Sequence, residues 1–293
     1  MRPPSPPQPS WLPTAGIVAL IVLAVAGYFG WLHYQAANNT PATVEAPASP
    51  APELPATPQA TAPVSEPAIQ HPVEEPVETT GASPLPRLAD ADALVTEALT
   101  GLVTRKNVLS FFQVDGFVRR AVATVDNLPR TQAPTVVWPV NPTPQRFTTV
   151  PAAASGQPEL IAPANSQRYT PLVNMVEAVD TAQAVAVYRR LYPLFQQAYE
   201  ELGFPGRYFN DRLVQVLDHL IATPPLPAGP VAVKLVEVKG EVPSTRPWVR
   251  YEFADPALEA ASAGRKILWR IGADNQQRLQ AKLKDIRQRV ARP

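Results

Sequence analysis

Cysteine is absent from the 293 residues, and histidine occurs only three times. Without cysteine there is no disulfide framework and no thiolate metal site. One histidine, His219, lies in the part that reads as folded, so a multi-histidine zinc centre is excluded by inventory. A Ser-His-Asp arrangement would have to use His219, and no serine stands in a nucleophile-elbow pattern. A glycine-rich phosphate loop is also missing, because Gly203 and Gly206 lie beside a helix end rather than between a strand and a helix. No cofactor or metal is expected. Basic residues are lacking between Arg2 and Arg87, and that gap frames what precedes the folded part.

Thr14–Leu32 is an uncharged run of nineteen residues, roughly 28 Å as a helix and close to the hydrocarbon thickness of a bilayer. Trp11 precedes it, and Tyr28, Trp31 and Tyr34 crowd its far end, where amphipathic rings favour the headgroup level. Tyr34-Gln35-Ala36 is a poor small-x-small cleavage pattern, so the run reads as an uncleaved signal-anchor. The charge asymmetry places the short N-terminus in the cytoplasm and the rest in the periplasm. Ala15 and Ala19, then Ala26 and Gly30, form small-xxx-small pairs that suit a homodimer through the transmembrane helix.

Residues 38–86 contain twelve prolines, six glutamates and no Lys or Arg. Such a stretch lacks the apolar surface to offset chain entropy and reads as a disordered, extended tether. At about 3.1 Å per residue it would reach on the order of 150 Å. The expected organisation is a cytoplasmic N-terminus over 1–13, a signal-anchor helix over 14–34, a disordered linker over 35–86, and a helix-rich domain over 87–293.

From residue 90 onward the chain carries 24 basic and 19 acidic side chains, opposite in sign to the tether. Leu94, Ala98, Leu99 and Leu102 repeat at helical spacing after a cap at Asp90 or Asp92, a turn is expected over Val108–Phe112, and Asp115 would cap the next helix through Asn127. Residues 129–163 hold eight prolines with two β-prone pieces, Thr135–Val140 and Arg146–Val150. Helices follow over Arg168–Ala178, over Thr181–Leu202 with a kink or break after Tyr192 because of Pro193 and an end at Gly203, and over Asp211–Ala222. Val231–Val238 and Trp248–Phe253 read as two strands, which need the helices or a third strand from the proline-rich segment for support. Asp255-Pro256 opens a short helix, and a terminal helix starts near Asp274. The fold class is mainly α (α+β): a transmembrane helix, a disordered tether, and a helix-rich domain with a small hairpin or sheet.

Arg119, Arg120, Asp126, Arg168, Tyr169, Asp218 and His219 are the polar or amphipathic residues most closely mixed with apolar ones, and they are the candidates for a binding groove. Half-buried Arg–carboxylate pairs that fix packing explain the same residues without a ligand. Glu200, Glu201, Asp211 and Asp218 are the carboxylates available to a glycan or peptide hydrolase, which needs two of them in one cavity. Residues 264–293 carry nine Lys or Arg against two Asp, which reads as a packed helix with a solvated basic face. A cytoplasmic domain with that helix on nucleic acid or lipid is the third reading.

Several ordered pieces carry a resemblance. They are Phe117-Val118-Arg119-Arg120 with Val125-Asp126-Asn127-Leu128-Pro129; Arg168-Tyr169; Leu191-Tyr192-Pro193-Leu194; and Ala198-Tyr199-Glu200-Glu201-Leu202-Gly203. Asp218-His219-Leu220 with Thr223-Pro224, Asp255-Pro256 with Leu258-Glu259, and Gly264-Arg265-Lys266 with Arg270, Gly272 and Asn275 complete the set. In this order they resemble a bacterial family called domain of unknown function 3014, over nearly all of residues 85–290. The resemblance implies a Gram-negative inner-membrane setting and a helix-rich domain, and it brings no activity and no site residues. The expected function is a tethered, non-enzymatic binding or scaffold module for an envelope protein or cell-wall component, integral to the membrane and not a nucleic-acid binder. The alternative is the periplasmic hydrolase.

Overall fold

The computed structural model describes residues 68–74, 84–152, 156–226, 229–237 and 245–291. The chain divides into residues 1–63 and 64–293, and every described residue belongs to the second unit.

Helix α1 (Asp92–Leu102) is followed by α2 (Arg105–Phe111), where only a turn was expected. The Thr104 side chain accepts from the Asn107 amide and so caps α2. Neither Asp90 nor Asp92 caps α1 with its side chain; Asp92 instead accepts from the Gly116 amide at 3.0 Å. Helix α3 (Phe117–Asn127) buries Val118, Val122 and Asp126, one turn apart on a single face. The short α4 (Ala164–Gln167) and α5 (Thr170–Ala178) lead to α6 (Thr181–Glu201). Asp180 caps α6 by accepting from Gln183. Pro193 lies inside α6 without ending it; Leu191, Tyr192 and Leu194 around it are all buried, so packing outweighs the one lost backbone bond. The helix ends at Gly203, whose φ of 112° suits a residue without Cβ.

Helix α7 (Phe209–Ile221) is the axis of the fold. Phe209 joins the main cluster with Val95, Val118, Val122, Leu191 and Tyr199. Val214 and Leu217 join Val185 and Val290, while Val216 and Leu220 join Leu268 and Ile271. A helix that is apolar on more than one side is a buried one.

The expected hairpin is present as β3 (Ala232–Leu235) and β4 (Tyr251–Phe253), with Val233 opposite Phe253 and both fully buried. The proline-rich segment supplies the support: β1 (Thr149–Val150) and β2 (Glu159–Ile161) extend the sheet in the order β1-β2-β3-β4, all antiparallel. Thr135–Val137 forms a 3-10 turn rather than a strand. Asp255 caps α8 (Pro256–Glu259) as expected, its carboxylate accepting from Ala257. Helix α9 (Ala263–Arg270) then packs end to end with α3: the Ala263 and Gly264 amides donate to the Arg130 and Leu128 carbonyls at 2.6 and 2.8 Å. Orphan donors of one helix thereby satisfy acceptors just past the other's C-terminus. Helix α10 (Ala273–Val290) closes the chain against α5, α6 and α7.

Two corrections follow. Among the described residues no helix is long and apolar enough to cross a membrane, and the expected span over 14–34 lies outside them. On that finding the transmembrane helix in the fold class, the single-pass inner-membrane location with a periplasmic domain, the integral membrane partnership and the dimer through the span are not carried forward. The helix-rich domain with its small sheet stands. Second, residues 68–74, inside the stretch read as disordered linker, lie on the folded part, as the contacts below show.

Candidate functional site

The polar centre of the domain lies at the N-terminus of α7, where four unpaired amides need acceptors. Helix α6 provides two of them. Gln196 Oε1 accepts from Phe209 N at 2.9 Å, and the Tyr192 hydroxyl accepts from Asn210 N at 3.2 Å while donating to Gln196 Oε1 at 3.0 Å. Tyr192 and Tyr188 pack edge to face, and Tyr192 also packs against Tyr208. Burial pushes both Tyr188 and Tyr192 far above the ordinary tyrosine value, with Tyr208 adding to each shift. These phenols therefore remain hydroxyls at any physiological pH.

Asn210 is fully buried and joins four pieces of chain. Its Oδ1 accepts from the Tyr188 hydroxyl at 3.0 Å. Its Nδ2 donates to the Val290 carbonyl at the end of α10 and to the His71 carbonyl, each at 2.9 Å. The amide orientation follows from those partners, since a flip would set Oδ1 against two carbonyls.

His71 belongs to the segment 68–74, which is held by its main chain. Asp211, in the first turn of α7, accepts from the His71 amide at 2.7 Å and from the Gln70 amide at 3.2 Å with one oxygen and 3.1 Å with the other. A carboxylate is favoured at that end of a helix by the backbone dipole as well. The Tyr208 hydroxyl accepts from the Val73 amide at 2.8 Å. Val73 packs against the main core cluster, while Pro72 and Glu74 face solvent. The segment thus alternates in and out like a strand, yet its partners are three side chains (Tyr208, Asn210 and Asp211) that are consecutive but for Phe209.

The residues singled out from sequence are dispersed. Arg119 pairs with Glu201 at 3.0 Å on the surface, and Arg120 donates to the Asp115 and Val136 carbonyls at 2.8 and 2.6 Å. Arg168 holds the 143–145 loop through Pro144 O, Thr143 Oγ1 and Gln145 O and lies 5.5 Å from the Tyr169 ring centroid. Tyr169 itself packs on the cluster beneath α9. Asp218 forms a two-pronged pair with Arg287 at 2.9 and 3.0 Å. Asp126 and His219 are each linked to Arg212, the first by a hydrogen bond and the second by charge. Asp126, 3% exposed, accepts from Arg212 Nε at 3.0 Å and from Arg130. His219 Nε2 lies 2.7 Å from the Ser262 hydroxyl; burial, then Arg265 and Arg212, hold its pKa below the usual histidine value. That group fixes the α3–α7–α9 junction.

The hydrolase reading is corrected by the same geometry. Glu200 accepts from Gln196, Glu201 pairs with Arg119, Asp218 pairs with Arg287, and Asp211 holds backbone amides. The cavity between α1 and α6, lined by Glu97, Gln183 and Arg190 among apolar residues, contains none of the four, and no cluster of the described residues offers three metal-capable side chains. The three arginines of α10 are engaged too: Arg278 with Glu177, Arg287 with Asp218, Arg289 with Asp285. Tyr208, Asn210, His71 and Val73 escaped the sequence reading. The available signal was Asn210 itself, which stands in register with Val214 and Leu217 on a buried helix face.

Residues 117–287 match the family described as Protein of unknown function (DUF3014). No curated protein and no solved structure matches the chain. The matched range contains Tyr208, Asn210 and Asp211 and leaves residues 68–74 outside it.

Proposed function

This chain belongs to the DUF3014 family, and from that premise we propose that the domain is a binding module for an extended polypeptide segment, filled here in cis by residues 70–73. The observation that carries the reading is the way the occupant is held. Asp211, Asn210 and Tyr208 engage three amides and a carbonyl of the segment's main chain, and one side chain, Val73, reaches the core cluster. Main-chain hydrogen bonds supply affinity to any extended segment, and side-chain pockets supply selectivity, as in other modes of peptide recognition. Asn210 is held in advance by Tyr188 of α6 and the Val290 carbonyl of α10, and the Tyr208 ring packs on Tyr192 of α6, so little ordering is needed at these two residues.

The test is calorimetric. In the full chain, Gln70, His71, Pro72 and Val73 are replaced by alternating Gly and Ser, and a synthetic peptide spanning residues 68–74 is titrated in. The reading expects saturable one-to-one binding that weakens at least tenfold when Asp211→Ala is added. Absence of saturable binding to a folded chain would reduce the contact to a fixed strap and overturn it.

A further inference from the structure

Resting on that reading, we propose that the site is selective for two non-acidic residues followed by proline and a β-branched apolar residue, and that residues 70–73 are a self-ligand which an external segment of that pattern must displace. Three features define the pattern. Acceptors stand opposite the amides of Gln70, His71 and Val73, and none is offered at position 72, where proline has no amide to satisfy. Proline also biases the segment toward the extended form it adopts when bound, which lowers the ordering cost. Val73 is the side chain packed against the core cluster, so the residue after proline must be apolar.

The third feature is charge. The Asp211 carboxylate lies within 3.2 Å of the amides of Gln70 and His71. An acidic side chain on either residue would bring a like charge to the neighbourhood of this carboxylate, with no basic side chain hydrogen-bonded to Asp211 among the described residues to offset it. The sequence offers an internal comparison. Within residues 38–86, proline is followed by valine at Pro63-Val64, Pro72-Val73 and Pro76-Val77, preceded respectively by Thr61-Ala62, Gln70-His71 and Glu74-Glu75. The segment 70–73 carries no acidic side chain, and Glu74-Glu75 is the combination that Asp211 would reject.

The self-ligand sets the threshold for any partner. Nine residues separate Glu74 from Pro84, a connection short enough for an effective concentration on the order of millimolar. A partner carrying the pattern once would compete poorly, and one carrying it repeatedly, or on a tethered surface, would compete well. The partner class is therefore a proline-containing, non-acidic extended protein segment.

The experiment uses fluorescence anisotropy with labelled seven-residue peptides and the full chain, both intact and with residues 70–73 replaced as above. A second chain, His71→Glu, releases the self-ligand while leaving Val73 in place, in case the larger replacement perturbs folding. The peptide of residues 68–74 should bind either released chain at least tenfold more tightly than the intact one. A peptide with Thr-Ala before Pro-Val should bind comparably. One with Glu-Glu should bind at least tenfold more weakly at low salt, and raising the salt should narrow the gap. Asp211→Asn, which keeps an acceptor and removes the charge, should abolish the discrimination. Equal binding of acidic and neutral peptides to the released chain with Asp211 intact, or equal binding after Pro72→Ala and Val73→Asn in the peptide, would overturn the selectivity and leave the binding module standing. Equal affinity of the released and intact chains would overturn the self-ligand. Failure of every peptide to bind would overturn the underlying reading.

Discussion

Removing one amide side chain at position 210 should loosen three parts of the molecule together. Asn210→Ala takes away the acceptor of the Tyr188 hydroxyl and the donors to the Val290 and His71 carbonyls. Water can replace the donor at half-buried His71. It cannot readily do so at the other two, because Asn210 and Val290 are buried and the Tyr188 phenol is withdrawn from solvent. Each orphaned buried group costs about 1–3 kcal/mol. Alanine's better helix propensity returns roughly 0.5 kcal/mol. The expected loss is about 2–5 kcal/mol, which for a domain of this size lowers Tm by about 5–15 °C. Urea unfolding with an unchanged m-value would give the number directly. Asn210→Asp should do at least as much harm, since a carboxylate would face two carbonyls. A loss under about 0.5 kcal/mol for the alanine variant would refute the argument, because the buried network would then be satisfied in some other way.

Gly264→Ala should cost about 1–3 kcal/mol by overpacking, since a Cβ there would lie 2.5 Å from Leu220 Cδ2 and 3.1 Å from the Leu128 carbonyl; wild-type stability in urea would contradict the end-to-end docking of α3 and α9. Asp126→Ala should cost about 1–3 kcal/mol by removing the buried carboxylate that accepts from Arg212 and Arg130, whereas Asp218→Ala, at a half-exposed pair with Arg287, should stay within about 1 kcal/mol. A reversed order would refute the burial argument. His219 titrates below its ordinary 6.5 because of burial, Arg265 and Arg212. The unfolded chain therefore binds the proton first, so stability is intact above 6.5 and falls as pH drops toward and through the lower folded value. His219→Gln should flatten that limb of the pH–stability curve, and an unchanged curve would place the acid sensitivity elsewhere.

Much of the architecture is legible in the residues. Alternation in Val231–Val238 and the polar turn before Trp248 give the hairpin, and the insufficiency of two strands points to the proline-rich segment that supplies β1 and β2. Asp255-Pro256 opens a helix by a local mechanism that tertiary contacts do not alter. Pro193 does not break α6, because its cost is local while the burial around it is tertiary. The site is hidden for a related reason. Composition asks whether residues 35–86 can bury enough apolar surface, and on that measure they cannot. Residues 68–74 are held mainly by Asp211, Asn210 and Tyr208 through main-chain groups common to every sequence, with Val73 the one side chain on the core cluster, so the overall composition of the stretch does not reveal the contact. From sequence, Asp211 reads as one of four carboxylates available to a hydrolase. Its actual partners are two amides lying 141 and 140 positions away in the chain.

The central claim is that residues 70–73 occupy an exchangeable binding site, and amide hydrogen exchange on the intact chain tests it most directly. The Gln70, His71 and Val73 amides should be protected in the free protein. Excess peptide of residues 68–74 should strip that protection while leaving α7 unchanged. Protection that persists at every peptide concentration, or that is absent from the start, would contradict the account.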